Sequence, residues 1–303
     1  NIRPQKIAEL GFSPDAVLQS NPSIIYGGLL GYGENGPYGG RPAYDDVIQG
    51  QSGIAGLFGE RDGLPQLVPS IIADKNSALI ASGGLVAAYV KRLRTGKGTY
   101  LECSMFEGMA SFNLVEHQYG ETFKPKKGKA GYVRALSPYR RPHKTKDGYL
   151  CLLAYTDRQW RSFWKLAGMP DYAEDSRFVT MLERSRNIDT LYKIVSEVIS
   201  TRSTTEWLAL FEQAEIPSGP VNSLADLRLD PHLNAVGFFR SFEHPTEGTL
   251  EIPDTPYRFD RRSLPVRCAQ PRLGEHGREV LTEVGMSNEE IDAVLRDSER
   301  NLP

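Results

Sequence analysis

Residues 76–105 constrain the fold more than any other stretch. From 76 to 93, Leu79, Ile80, Leu85, Val86, Tyr89 and Val90 recur at the spacing of one apolar helix face, which is expected to point inward. Arg94-Thr-Gly-Lys-Gly98 ends that helix, with Lys91, Arg92 and Arg94 where the dipole favours cations. Residues 99–105 then read as a strand, and 107–118 as another helix. Upstream, the β-rich run 23–30 ends in the glycine-punctuated loop Gly31-Tyr-Gly-Glu-Asn-Gly-Pro, and 45–57 has helical spacing. Strand and helix alternate, which predicts an α/β sheet with helices on its faces. Gly83-Gly84 in mid-helix predicts a close neighbour there.

The start of the long helix carries the principal candidate for chemistry. In Pro69-Ser-Ile-Ile-Ala-Asp74, an apolar run stops and a helix begins, so Asp74 faces the positive end of the dipole. A carboxylate held beside backbone N–H groups can attack an acyl carbon. From position alone, an N-cap is the plainer reading.

The rest of the chain reads as a second unit and a tail. Residues 119–131 are polar and basic around Lys124-Pro-Lys-Lys-Gly-Lys129, a solvated linker. A hairpin is expected over 141–154, with Asp147-Gly148 as a type I′ turn. Helices are expected at 157–167, 187–200, 204–214 and 224–234, with a return strand at 216–222 and β pattern over 238–259. Asp157 reads as the N-cap of its helix. Two tail helices, 274–284 and 287–296, follow; Ser287-Asn-Glu-Glu290 is a capping box.

Composition excludes some classes. With 40% hydrophobic and 24% charged residues and a formal charge of −2, the 303 residues suit a soluble enzyme of one large or two medium domains. That balance lacks the basic face nucleic acid needs, and no apolar run approaches a membrane span. Cys103, Cys151 and Cys268 lie too far apart for a metal or redox motif, which predicts buried thiols in a reducing, cytoplasmic compartment; no secretory pattern is present. His117, His143, His232, His244 and His276 are equally scattered, so no metal site is expected.

Several motifs, taken together, resemble the family III (CaiB/BaiF-type) CoA-transferases: Asn21-Pro-Ser-Ile-Ile-Tyr-Gly-Gly, Gly36-Pro-Tyr-Gly, Pro42-Ala-Tyr-Asp45, Ala73-Asp74, Arg94-Thr-Gly-Lys-Gly98, Thr145-Lys-Asp-Gly148, Asp157-Arg-Gln-Trp160, Ile216-Pro-Ser-Gly-Pro-Val-Asn222 and Pro271-Arg-Leu-Gly-Glu-His276. The resemblance implies that Asp74 is the nucleophile. Coenzyme A would pass from an acyl-CoA to a small carboxylic acid through an aspartyl anhydride and an aspartyl-CoA thioester, with coenzyme A a substrate and no cofactor permanently bound. It further implies that Asn1, Ile2 and Arg3 line the adenine and ribose end, and that Arg41, Ala43, Tyr44 and Asp45 touch the pantetheine arm. Glu9 stands where the family commonly has Arg. The loops 36–40 and 50–59 are candidate oxyanion donors, although tight turns explain their glycines equally well.

The implied architecture is a Rossmann-like large domain from 1–125 and 260–303, a smaller inserted α/β domain at 135–240, linkers at 119–134 and 241–265, and an interlocked homodimer. By the same resemblance, roughly a hundred residues would precede Asn1. Two other readings stay open. An α-methylacyl-CoA racemase would have His at the position of Tyr44, and a phenol is a poor base at neutral pH. A catalytically inactive CoA-binding or scaffold homologue is the second. The glycine run of the formyl-CoA/oxalate branch is absent, which disfavours oxalate, and Arg140 and Arg141 are candidates for a dicarboxylate's distal group.

Overall fold

The computed structural model describes residues 1–300, the side chains of 298–300 excepted. Two compact units make up the chain, Asn1–Val221 and Asn222–Pro303.

The first unit opens with α1 (Pro4–Glu9) and α2 (Pro14–Ser20), each with Pro in its first turn; Ser13 Oγ caps α2 at Ala16 N, 3.3 Å away. Next come β1 (Ile25–Leu30), α3 (Asp45–Gln51), α4 (Ile54–Asp62), α5 (Ile72–Thr95), β2 (Thr99–Ser104) and α6 (Met105–His117). The strands pair in parallel, Ile25 opposite Thr99 through Leu30 opposite Ser104. A parallel pair needs a crossover, and α5 supplies it, packing on both strands.

Small residues set how closely α5 approaches the sheet. Ala73, Ser77, Ala81 and Ala88 are buried along it, and a Cβ on Gly84 would lie 2.9 Å from Leu101 Cδ2. Gly83 has open space instead, so only one glycine of that pair answers to packing. Gly96 ends α5 in the left-handed region (φ +70), its N–H on Arg92 O. Gly98 passes so near β1 that a Cβ would sit 1.8 Å from Ile24 O.

The helical pattern over 45–57 is two helices rather than one. Gly53, at φ +92, breaks it, and Asn113 Nδ2 satisfies the freed Ser52 carbonyl at 3.0 Å.

A second core lies in the same unit. It is built from β3 (His143–Lys144), β4 (Tyr149–Leu152), α7 (Asp157–Leu166), α8 (Met181–Arg186), α9 (Ile188–Ile199), α10 (Thr204–Gln213) and β5 (Ser218–Pro220). The strands form an antiparallel sheet in the order β3-β4-β5. Phe163, Trp164, Leu191, Ile199, Trp207 and Phe211 are fully buried. Each such side chain contributes about 1.5–3 kcal/mol by leaving water. Capping boxes, Thr156 with Gln159 and Ser203 with Glu206, start α7 and α10.

Thr156, not Asp157, is therefore the cap of α7; Asp157 pairs with the buried guanidinium of Arg184. The hairpin turn is also not type I′, because neither Asp147 nor Gly148 has positive φ. Asp147 Oδ1 instead accepts from Thr204 N and Oγ1 at 2.8 and 2.9 Å, tying the turn to α10. Those bonds hold its carboxyl below the usual range. Between the two cores, Gly131 N and Tyr132 N bond His117 O and Nδ1 at 2.7 and 3.2 Å, so the basic segment is pinned at its end.

The second unit holds α11 (Leu224–Leu229), α12 (Pro231–Ala235), β6 (Phe239–His244), β7 (Gly248–Pro253), α13 (Gly277–Glu283) and α14 (Asn288–Arg300). Pro231 splits the expected single helix, and Asp230 caps α12 at Leu233 N, 2.8 Å away. β6 and β7 form a hairpin from His244 opposite Gly248 to Phe239 opposite Pro253. Ser287 N donates to Glu290 Oε2 at 2.8 Å and Glu290 N donates to Ser287 Oγ at 3.3 Å, both halves of the predicted capping box.

Cys151 and Cys268 are exposed and Cys103 is half-buried, against the expectation of three buried thiols. None of the helices, among the described residues, is long and apolar enough to cross a membrane.

Candidate active site

Asp74 is the third residue of α5, inside its first turn. The segment before it cannot be helical, since Pro65 and Pro69 bias their predecessors towards extended backbone. Ile71 occupies the N-cap and has no side-chain oxygen to offer. Asp45, on α3, supplies the missing acceptor. Its Oδ1 accepts from Ala73 N at 2.8 Å and from Asp74 N at 3.0 Å. Both carboxylates then lie at the positive end of a 24-residue helix. The cap comes from Asp45, so the Asp74 side chain is released from that duty. It is exposed and has no hydrogen-bond or ion-pair partner among the described residues.

Asp45 Oδ2 accepts from Gln49 Nε2 at 2.6 Å. Gln49, one helical turn further along α3, also bonds the segment leading into α5: Nε2 donates to Ser70 O at 3.1 Å and Oε1 accepts from Val68 N at 2.8 Å. Beneath Asp74, Ser77 Oγ donates to Ala73 O at 2.7 Å, and Asn76 Nδ2 lies 3.3 Å from Met109 Sδ.

A cavity of about 450 Å³ opens beside α3. Six of the residues singled out for coenzyme contacts line it: Asn1, Ile2, Arg3, Arg41, Ala43 and Tyr44. Tyr44 is 81% exposed, a wall of this cavity rather than a core aromatic. Arg41 lies 4.6 Å over the Tyr38 ring. Asp45 does not line the cavity; at 6% exposure its carboxylate faces inward to the start of α5. Asp74 is not on that wall either, but the steps between are short: Tyr44 adjoins Asp45, and Asp45 bonds the backbone of Asp74. Glu9 pairs with Lys6 at 3.0 Å on the surface.

Nearby glycines answer to backbone demands. Gly40 is left-handed at φ +75, and a Cβ on Gly39 would sit 2.5 Å from Glu34 O. Above β1, Tyr100 Oη donates to Glu34 Oε1 at 2.5 Å; burial and that carboxylate hold the phenol protonated well above its ordinary range. Among the described residues, no group of three His, Cys, Asp or Glu side chains could hold a metal ion.

Elsewhere, Arg140 and Arg141 line a cavity of about 320 Å³ with His143 and Cys151. Arg141 is already engaged, donating to Pro138 O at 2.6 Å and Asp62 Oδ1 at 3.0 Å. Gln49 was missed by sequence reasoning. Its signal was present, a Gln four residues after an Asp on one helix, but the partner segment 68–70 could not be read from spacing.

The model of CoA-transferase family III matches residues 1–277. Succinyl-CoA:glutarate CoA-transferase of Mus musculus is 32% identical over 285 residues, which cover 94% of this chain and 65% of that one. Formyl-CoA:oxalate CoA-transferase of Escherichia coli O157:H7 is 27% identical over 323 residues, 98% and 76% of the two chains. The chain thus spans about two-thirds of the length of the curated relatives it matches, 65% of the mouse protein. Among solved structures, a CaiB/BaiF family protein from Brucella suis has a TM-score of 0.72 at 28% identity, over 94% of this chain and 74% of its own. Rv3272 from M. tuberculosis has 0.77 at 25%, over 91% and 74%.

Proposed function

The chain belongs to CoA-transferase family III, and from that premise we propose that it moves coenzyme A from an acyl-CoA to a free carboxylic acid with Asp74 as nucleophile. The observation that carries this reading is the state of Asp74: exposed, unpartnered, and in the first turn of α5, whose amides Asp45 has already satisfied.

The chemistry follows from one carboxylate. An Asp74 oxygen attacks the thioester carbonyl; the C–S bond breaks, leaving an aspartyl–acyl anhydride and coenzyme A thiolate. The thiolate attacks Cγ of Asp74, expelling the donor acid and forming an enzyme thioester. The acceptor carboxylate attacks that thioester, again as an anhydride, and the thiolate then takes the acceptor acyl group. Asp74 is regenerated, and no net proton or electron is exchanged. The dipole of α5 favours negative charge at Asp74. The Asp45 carboxylate, which already takes the Ala73 and Asp74 amides, offsets this in part, so the oxyanion needs further donors.

The cavity lined by Arg3, Arg41 and Tyr44 is read as the coenzyme site, with guanidinium groups for phosphate. Glutarate and oxalate stand in the names of relatives, so dicarboxylic acids are the first acceptors to test. The two-ended large domain and the interlocked homodimer belong to the same proposal, and sedimentation equilibrium tests the dimer.

Racemisation is disfavoured. Tyr44 stands where the racemases have His, and Asp157 is occupied by Arg184. The deciding experiment is Asp74→Ala, expected to lower transfer from succinyl-CoA by at least about 10³-fold. Hydroxylamine should inactivate wild-type enzyme incubated with the thioester and label the peptide carrying Asp74. Wild-type turnover in Asp74→Ala would end the nucleophile assignment.

A further inference from the structure

Gln49 is 1% exposed, and its amide is fully engaged. Its two N–H bonds go to Asp45 Oδ2 at 2.6 Å and Ser70 O at 3.1 Å, with Val68 O at 3.4 Å beside them. Its oxygen takes the N–H of Val68 at 2.8 Å. The side chain therefore joins the end of α3 to the extended segment 68–70, whose last carbonyl accepts from Ile72 N, at the first residue of α5, at 2.8 Å. Asp45 grips the same helix start at Ala73 and Asp74. Together the two side chains fix the first turn of α5 from both directions.

We propose that Gln49 is a positioning residue for Asp74: by locking the carboxylate of Asp45 and the backbone of Val68 and Ser70, it sets where the Asp74 side chain stands. This rests on Asp74 being the nucleophile. Glutamine is the residue type the site requires. Asp45 and Ser70 need donors, Val68 needs an acceptor, and a primary amide offers both from one planar group. Methionine matches the length and supplies neither. Glutamate supplies the acceptor but turns a lone pair towards Asp45 unless it is protonated. A misplacement of about 1 Å at a reacting group costs on the order of 10²-fold in rate, so the clamp is expected to register in turnover more than in coenzyme binding.

The test compares Gln49→Met, Gln49→Glu and Asp74→Asn, all in the full chain, with succinyl-CoA and glutarate as probes. In Gln49→Met, kcat is expected to fall about 10–100-fold while KM for the thioester changes less than about threefold. Hydroxylamine-trapped acylation of Asp74 should slow in parallel. In Gln49→Glu, kcat relative to wild type should rise as pH falls from about 8 to about 5.5, because the protonated acid restores a donor to Asp45.

Wild-type kcat in Gln49→Met, or a rise in KM alone, would overturn the positioning role. Loss of fold in both Gln49 variants, read by circular dichroism, would assign the residue to stability and overturn it equally. An active Asp74→Asn marks failure of the nucleophile reading; an inactive Asp74→Asn beside a wild-type-like Gln49→Met marks failure of the positioning role alone.

Discussion

Asp45 Oδ1 stands 3.0 Å from the backbone nitrogen of Asp74. One carboxylate thereby caps the helix that presents the other, across 29 residues of sequence. Asp45→Asn keeps one acceptor but turns an NH₂ group towards the NH₂ of Gln49, or exchanges the two and abandons the backbone amides. The expected loss is about 1–3 kcal/mol of unfolding free energy, with kcat falling in step. Urea unfolding measures the first. An unchanged midpoint at unchanged slope would show that the cap contributes nothing to the fold.

Asp157 separates structural work from chemistry. Its side chain is half-exposed, but its partner Arg184 is 4% exposed, donates to Phe178 O at 2.8 Å and lies 5.9 Å over the Trp160 ring. Asp157→Ala leaves that guanidinium with one carbonyl and a ring face. A fully buried pair would cost about 3–5 kcal/mol on losing one member; exposure of Asp157 reduces this to about 1–3 kcal/mol. The transfer rate per folded molecule should stay near wild type. A stable variant without turnover would instead make Asp157 part of the chemistry.

The sequence patterns that could be read were local. Periodicity located α5, β2 and α6 to within a few residues. It named the wrong face of α5, however: Leu79, Ile80, Val86, Tyr89 and Val90, expected inward, are exposed, and the small residues Ala73, Ser77, Ala81 and Ala88 are the ones buried. The proposed role of Asp74 as nucleophile came from the family resemblance and not from its position, whereas the helix start that carries it was legible on the same local grounds. The division of labour at the helix start was not: Asp45 looked like a coenzyme contact because it follows Tyr44 in one motif, yet the two side chains point opposite ways, one into the interior and one to a cavity wall. The break at Gly53 was hidden because apolar spacing continues across it. The turn at Asp147 failed because Thr204, 57 residues later, outbids a local turn preference.

Tyr44 gives a prediction with little effect on stability. At 81% exposure its ring covers almost nothing, so Tyr44→Ala should change unfolding free energy by no more than about 0.5 kcal/mol. If its cavity takes the coenzyme, losing the aromatic wall should cost about 1 kcal/mol of binding, roughly fivefold in Kd. Calorimetric titration with coenzyme A checks this, and an unchanged Kd would move the coenzyme away from Tyr44.

His143 makes stability depend on pH in one direction. It is 6% exposed on β3, with Nδ1 2.8 Å from Ser196 Oγ. The Ser196 hydroxyl gives its proton to Tyr192 O at 2.9 Å, so it accepts at the other side and His143 donates from Nδ1–H. That bond suits either charge state of the ring; burial is what disfavours the cation, pushing the pKa down to about 4 from the usual 6.5. Above about 6.5 both folded and unfolded chains carry a neutral ring, and the full stability is present. As pH falls from 6.5 towards 4, the unfolded chain takes up a proton that the folded chain refuses, and stability declines. The shift corresponds to about 3 kcal/mol at its limit. His143→Gln keeps a donor to Ser196 and cannot titrate, so its stability should fall less between pH 7 and 4.5. Guanidinium unfolding of both proteins across that range measures the difference, and parallel curves would show that His143 is not the group responsible.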